Sequence, residues 1–222
     1  CARPNMTLSN FIPDLSVIAP FTMAVLIITI TPGPDMTLFV GRALSHGRTA
    51  GLACMAGAMT GIVFHTALVA LGLSALIVAS PEAFLGLKIF GAVYLVWLAW
   101  QAIRHGSAFS PQAANDTAQH SFFRNWATGL LINLMNPKIL LFFMTFLPQF
   151  VSATDPHAPG KLFFLGLMFI VLALPLTVPM VLAADGFSKF LRRSPRVMRV
   201  IDYLFAGVFS AFAIKILTAQ AR

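Results

Sequence analysis

Long apolar runs alternate along the chain with short polar and basic interruptions. Six runs can be drawn, over residues 15–47, 49–80, 84–103, 126–151, 162–184 and 200–217. A bilayer core needs about 20 apolar residues in one helix, so the pattern predicts an all-α, polytopic membrane protein with six transmembrane helices. The second run, at about 30 residues, is longer than a straight crossing and is expected to tilt or project beyond the lipid. Its Gly57 and Gly61 have the GxxxG spacing that lets two helix backbones approach closely.

Two of the six runs are interrupted. The first ends in TITPGPDMTLFVGRALSHGR, residues 29–48, where Pro32, Gly33 and Pro34 are followed at once by Asp35. The fourth carries Asn136, Pro137 and Lys138. Proline removes a helix hydrogen bond, and backbone groups left unpaired in lipid are expensive, so two such breaks need a compensating role. A broken helix offers free N–H groups and a positive dipole end to an anion, and unwound carbonyls to a cation. A zwitterion presents both charges.

The chain also repeats itself. GPDMTLFVGRAL can be laid on NPKILLFFMTFL, and IFGAVYLVWLAWQA on LFAGVFSAFAIKIL, in the same order. That arrangement predicts one transporter domain over 1–222, with repeat halves at about 14–105 and 121–219. The polar, small-residue stretch at about 106–120 is read as the linker. Three spans per half give an inverted 3+3 repeat, with the first and fourth helices broken.

Composition sharpens this picture. Hydrophobic residues make up 58% of the chain and charged residues 10%, against roughly 25% charged in a soluble domain. Mean hydropathy is +0.84. The net charge of +8 would suggest nucleic acid in a soluble protein, but here it reports orientation. Arg42, Arg48, Arg104, Arg124, Lys189, Arg192, Arg193, Arg196 and Arg199 fall around alternate loops, which are expected on the cytoplasmic side with both termini periplasmic. The first apolar run has neither a sizeable basic flank nor an A-x-A site, so no cleaved signal peptide is expected. The cysteines, Cys1 and Cys54, make no disulfide or thiolate-metal pattern.

Taken together, TPGPDMTLFVGRALSHGRTAGL, LKIFGAVYLVWLAWQAIR and NPKILLFFMTFLPQF resemble the LysE/RhtB family of bacterial amino-acid exporters. The likeness covers nearly the whole chain, apart from the five residues before Met6. It implies export of amino acids or close derivatives from the cytoplasm across the inner (plasma) membrane, in exchange for protons. The expected partners are the amino acid, protons and membrane lipid, with a homodimer left open and nucleic acid excluded.

In the overlay, Gly33, Pro34 and Asp35 fall on Asn136, Pro137 and Lys138, so matching positions carry opposite charges. The expected substrate site is therefore Pro32, Gly33, Pro34 and Asp35 with Asn136, Pro137 and Lys138. Asp35 would meet the substrate ammonium, and Lys138 with the N–H groups after Pro137 its carboxylate. The competing structural reading pairs Asp35 with Lys138, or makes Asp35 a helix cap. Arg42, two turns beyond Asp35, would greet a carboxylate entering from the cytoplasm or snorkel at the interface. Proton coupling needs a group that changes charge, and Asp35, Asp185 and His65 are the candidates. His65 alternatively hydrogen-bonds another helix, and Asp185 an interfacial base. Pro175 and Pro179 should kink the fifth run, while Trp97, Trp100 and Trp126 read as interfacial anchors or packing residues.

No GxSxG, HExxH, paired carboxylates or Cys and His couple occurs, so no enzyme activity, cofactor or metal site is expected. The histidines at 46, 65, 105, 120 and 157 lack metal-ligand spacing. A divalent-metal or other small-solute exporter of similar fold, or a non-transporting assembly protein, remains as the alternative.

Overall fold

The computed structural model describes residues 11–79, 121–152 and 155–219, with single helical positions between 86 and 104. Most of the third predicted span and the 106–120 linker lie outside the described residues. The described chain is all helix and connecting turn, with no strand.

The first predicted run is two helices, α1 (Leu15–Ile30) and α2 (Pro34–His46), bent by 49°. The break follows from local chemistry. Pro34 is a favourable first helical residue but cannot continue α1, and Gly33 before it is fully extended (φ −170°). Helix α3 (Arg48–Ala79) follows directly after Gly47, whose φ of 86° is a left-handed value that suits glycine.

The fourth run breaks in the same way, into α4 (Phe122–Leu134) and α5, which starts at Pro137 and ends at Phe150, with a bend of 53°. Within α5 the first turn is α-helical, Phe142–Phe146 widens to a π-helix and Leu147–Phe150 tightens to 3₁₀. The widening turns Phe142, Phe143 and Phe146 wholly into the interior. There they meet Phe169 and Phe209, with ring centroids 5.2 to 6.4 Å apart.

Helix α6 (Ala158–Leu182) carries Pro175 and Pro179 inside it. The basic stretch after it is not a loop but a short amphipathic helix, α7 (Ala184–Arg193), followed by α8 (Pro195–Ala219). Periodicity missed α7 because ten residues are too few to register as a span. Residues Arg48–Gly72 of α3 and all of α6 are long and apolar enough to cross a membrane, and each bent pair adds one more candidate crossing.

The glycines of α3 are used. A Cβ on Gly57 would stand 1.9 Å from the Trp126 carbonyl oxygen, and one on Gly129 of α4 the same distance from the Cys54 carbonyl oxygen. Backbones therefore touch along the α3–α4 crossing, and only glycine fits at either position. The Trp126 indole N–H closes the seam by donating to the Thr60 hydroxyl at 3.3 Å. Trp97 and Trp100 are exposed, and Arg104 lies 5.2 Å over the Trp100 ring.

Candidate functional site

The two elbows face one another. In the first, Thr31 continues the α1 pattern through its N–H and hydroxyl, both donating to the Ile27 carbonyl at 3.0 and 2.7 Å. The Ile28 carbonyl loses its helical donor because position 32 is proline, and the Thr31 carbonyl, at the C-cap where the chain turns extended, has none to meet. The Lys138 ammonium fills that gap, donating to the Ile28 oxygen at 3.1 Å and the Thr31 oxygen at 2.7 Å. A positive charge there also opposes the negative dipole end of α1. Gly33 leaves the space for it, since a Cβ at that position would lie 3.0 Å from Nζ.

The second elbow is closed by its own amide. Asn136 caps α5, its Oδ1 accepting from the Lys138 backbone N–H at 3.1 Å, while its Nδ2 is buried with no partner. Just before it, Asn133 ends α4 fully buried and reaches across to the other elbow, its Nδ2 donating to Asp35 Oδ2 at 2.7 Å. The other Asp35 oxygen, Oδ1, is buried with no partner. Elbow one thus receives a cation from elbow two, and elbow two supplies an amide to the acid of elbow one.

Asp35 and Lys138 line one cavity with Asn133, yet they form no direct ion pair. The ion pairs among the described residues are Lys161 to Asp155 and Lys189 to Asp185. The cavity has a volume of about 40 Å³. Its remaining wall is uncharged: Met36 and Phe39 from α2, Met59 and Ile62 from α3, Phe169 and Met180 from α6, with the hydroxyl-bearing Thr29 and Thr177 among them. Phe169, Ala173, Thr177 and Met180 recur at helical spacing, so one face of α6 forms that side.

The other sequence candidates lie apart from this centre. Arg42, on α2, is half-buried, and its Nη1 has no partner. His65, buried on α3, approaches the Asn133 carbonyl through Nε2 at 3.4 Å and stacks on Phe143 at 5.8 Å. Asp185 is exposed at the start of α7 and pairs with Lys189 at 2.7 Å. Of the three proton-coupling candidates only Asp35 borders the cavity. Asn133 was not a sequence candidate; an uncharged amide closing an apolar run gives no signal, and its partner lies 98 residues away.

A family profile described as LysE type translocator matches residues 26–220. The chain belongs to that family. LysE proteins are translocators, so this is a transporter and not an enzyme. Among its relatives is an uncharacterized membrane protein of Vibrio cholerae, 28% identical over 94% of this chain and 100% of that one. A homoserine/homoserine lactone efflux protein of Salmonella typhimurium is 28% identical over 88% and 92% of the two chains. A leucine efflux protein of Klebsiella pneumoniae is 24% identical over 90% and 94%. No solved structure matches this LysE chain.

Proposed function

We propose that this LysE protein exports amino acids with uncharged side chains from the bacterial cytoplasm across the inner membrane, in exchange for protons. The observation that carries the reading is the Asp35 carboxylate, one oxygen held by Asn133 and the other without a partner, beside the Lys138 ammonium in a cavity otherwise walled by uncharged side chains. Oδ1 is the acceptor for a substrate ammonium. Lys138 has three donors, two of them used by carbonyls, and the third serves the substrate carboxylate with the N–H groups of α5. Pro32, Gly33, Pro34, Asn136 and Pro137 shape the two elbows, and Arg42, with a free Nη1, meets the carboxylate on its approach.

A lysine-like side chain would need a second buried acid, and a glutamate-like one a second base. Asp35 and Lys138 are the charged residues of the wall, and both are taken by the backbone charges of the substrate. Relatives named for leucine and for homoserine fit that class. Two elbows bent by 49° and 53° support an inverted 3+3 repeat of six spans with periplasmic termini, in which alternating access opens the cavity to each side in turn.

The test is uptake of radiolabelled leucine by inverted membrane vesicles, with and without an imposed pH gradient. Uptake should follow the gradient and fall by about 30-fold or more in Asp35→Asn, the scale for losing one partner of a buried charge contact. Uptake by Asp35→Asn equal to wild type overturns the reading.

A further inference from the structure

We propose that Asn133 is a positioning residue that makes Oδ1 of Asp35 the one oxygen at which proton and substrate ammonium replace each other. This rests on the export reading above and adds the atom at which exchange happens. An amide nitrogen donates and does not accept. With the Asn133 Nδ2 donating to Oδ2 at 2.7 Å, a proton on Oδ2 would face another donor, so the acid proton belongs on Oδ1. Oδ1 is also the oxygen left without a partner.

The amide oxygen of Asn133 lies against Gly61 of α3, where an added Cβ would come within 2.4 Å, and has no hydrogen-bond partner there, while the backbone carbonyl of Asn133 is the atom His65 approaches. With the acid ionised, turning the amide over would set its oxygen against the carboxylate at the same short distance, a repulsive contact, so the donor sense is the one that suits the charged form. A second amide, that of Asn136, also bears on the Asp35 carboxyl, but its nitrogen is a donor and takes no proton, and no titratable group among the described residues around Asp35 competes for it. Helix α5 brings Lys138, which is engaged with carbonyls, and α3 brings His65, which reaches the backbone of Asn133 and not Asp35. Arg42 lies two turns along α2, α6 brings Phe169, Ala173, Thr177 and Met180, and α1 brings the Thr29 hydroxyl.

The exchange is a balanced proton step. When the cavity opens to the cytoplasm the Oδ1–H bond breaks, the proton passes to water, and the carboxylate accepts a hydrogen bond from the substrate ammonium. On the other side the ammonium leaves as a water-borne proton reforms the Oδ1–H bond. One oxygen cannot hold both, and that exclusion is the coupling.

The isosteric variant Asn133→Asp tests this through its pH profile in the same vesicle assay. At the acid end one proton shared by two facing carboxyls replaces the lost donor, and leucine uptake is expected within about threefold of wild type. As that proton leaves with rising pH, uptake should drop by about tenfold or more relative to wild type, the scale of a hydrogen bond to a charged group. A profile parallel to wild type, whether equal or uniformly depressed, overturns the proposal. Gly61→Ala is the second arm, since its methyl group would displace the amide. A rise in KM of about tenfold is expected, and an unchanged KM counts against the proposal. If Asp35→Asn transports normally the export reading itself has failed; if it is inactive while Asn133→Asp runs parallel to wild type, only the role of Asn133 has.

Discussion

The Lys138 ammonium donates to the Thr31 carbonyl at 2.7 Å, so the positive end of one broken helix is anchored on the freed backbone of the other, 107 residues away. This contact satisfies backbone groups that the prolines released in a setting where water is scarce. It also leaves Asp35 without a direct ionic partner, the opening that the proposed substrate ammonium would fill.

Reversing the two charges separates a substrate site from a structural pair. Asp35→Lys with Lys138→Asp is expected to stay inactive, because an aspartate at 138 cannot donate to the Ile28 and Thr31 carbonyls. Leucine uptake by vesicles carrying the double variant should remain about 30-fold or more below wild type. Restored uptake would assign both residues to a simple ion pair.

Lys138→Met should lower stability as well as transport, since it strands two buried acceptors. About 1–3 kcal/mol for each unsatisfied group predicts a clear drop in the thermal midpoint of detergent-solubilised protein. A midpoint unchanged from wild type would mean that water replaces the ammonium there.

The α3–α4 seam should tolerate no side chain. Gly57→Ala and Gly129→Ala each push a methyl group into a carbonyl 1.9 Å away, and overpacking of this kind costs about 1–3 kcal/mol. Gly72→Ala, where a Cβ meets nothing within 4 Å, is the control. Thermal midpoints that fall equally in all three would contradict the close crossing.

Selectivity should follow the wall. Ala173→Asp places a carboxylate among apolar side chains on the α6 face, where lysine has the missing counter-charge and leucine has none. Competition against radiolabelled leucine should show lysine gaining and norleucine losing, by about tenfold between them for ~1.4 kcal/mol. An unaltered ranking would put the side-chain pocket elsewhere.

Outside the spans, Asp155 accepts from Lys161 at 2.6 Å and from the His157 backbone N–H at 2.8 Å. The Lys161 hydrogen bond, chiefly, holds its carboxyl below the ordinary value of 3.8. A depressed carboxylate contributes stability that is full above its unfolded value and fades as pH falls through the folded one. Wild type should therefore lose ~1 kcal/mol or less more than Asp155→Asn on acidification below about pH 4, measured by thermal unfolding.

Both elbows were legible before any coordinates, because proline and glycine act on their own backbone. The GxxxG spacing announced a close approach without naming Trp126 or Gly129 as what it approaches, since that choice belongs to tertiary packing. Asp35 and Lys138 stood out as charges in grease, but their partners did not. Carbonyl oxygens carry no sequence signature, and Asn133 looks like any polar residue near a helix end. Helix α7 was hidden inside a basic stretch whose charge spoke of sidedness and not of conformation.

The void between the elbows is small, about 40 Å³. Under the export reading proposed above, a leucine-sized cargo finds no ready berth there, and the bent rods would have to swing apart to admit it. Stiffer surrounding bilayers, by resisting that swing, are then expected to slow uptake even where affinity is untouched.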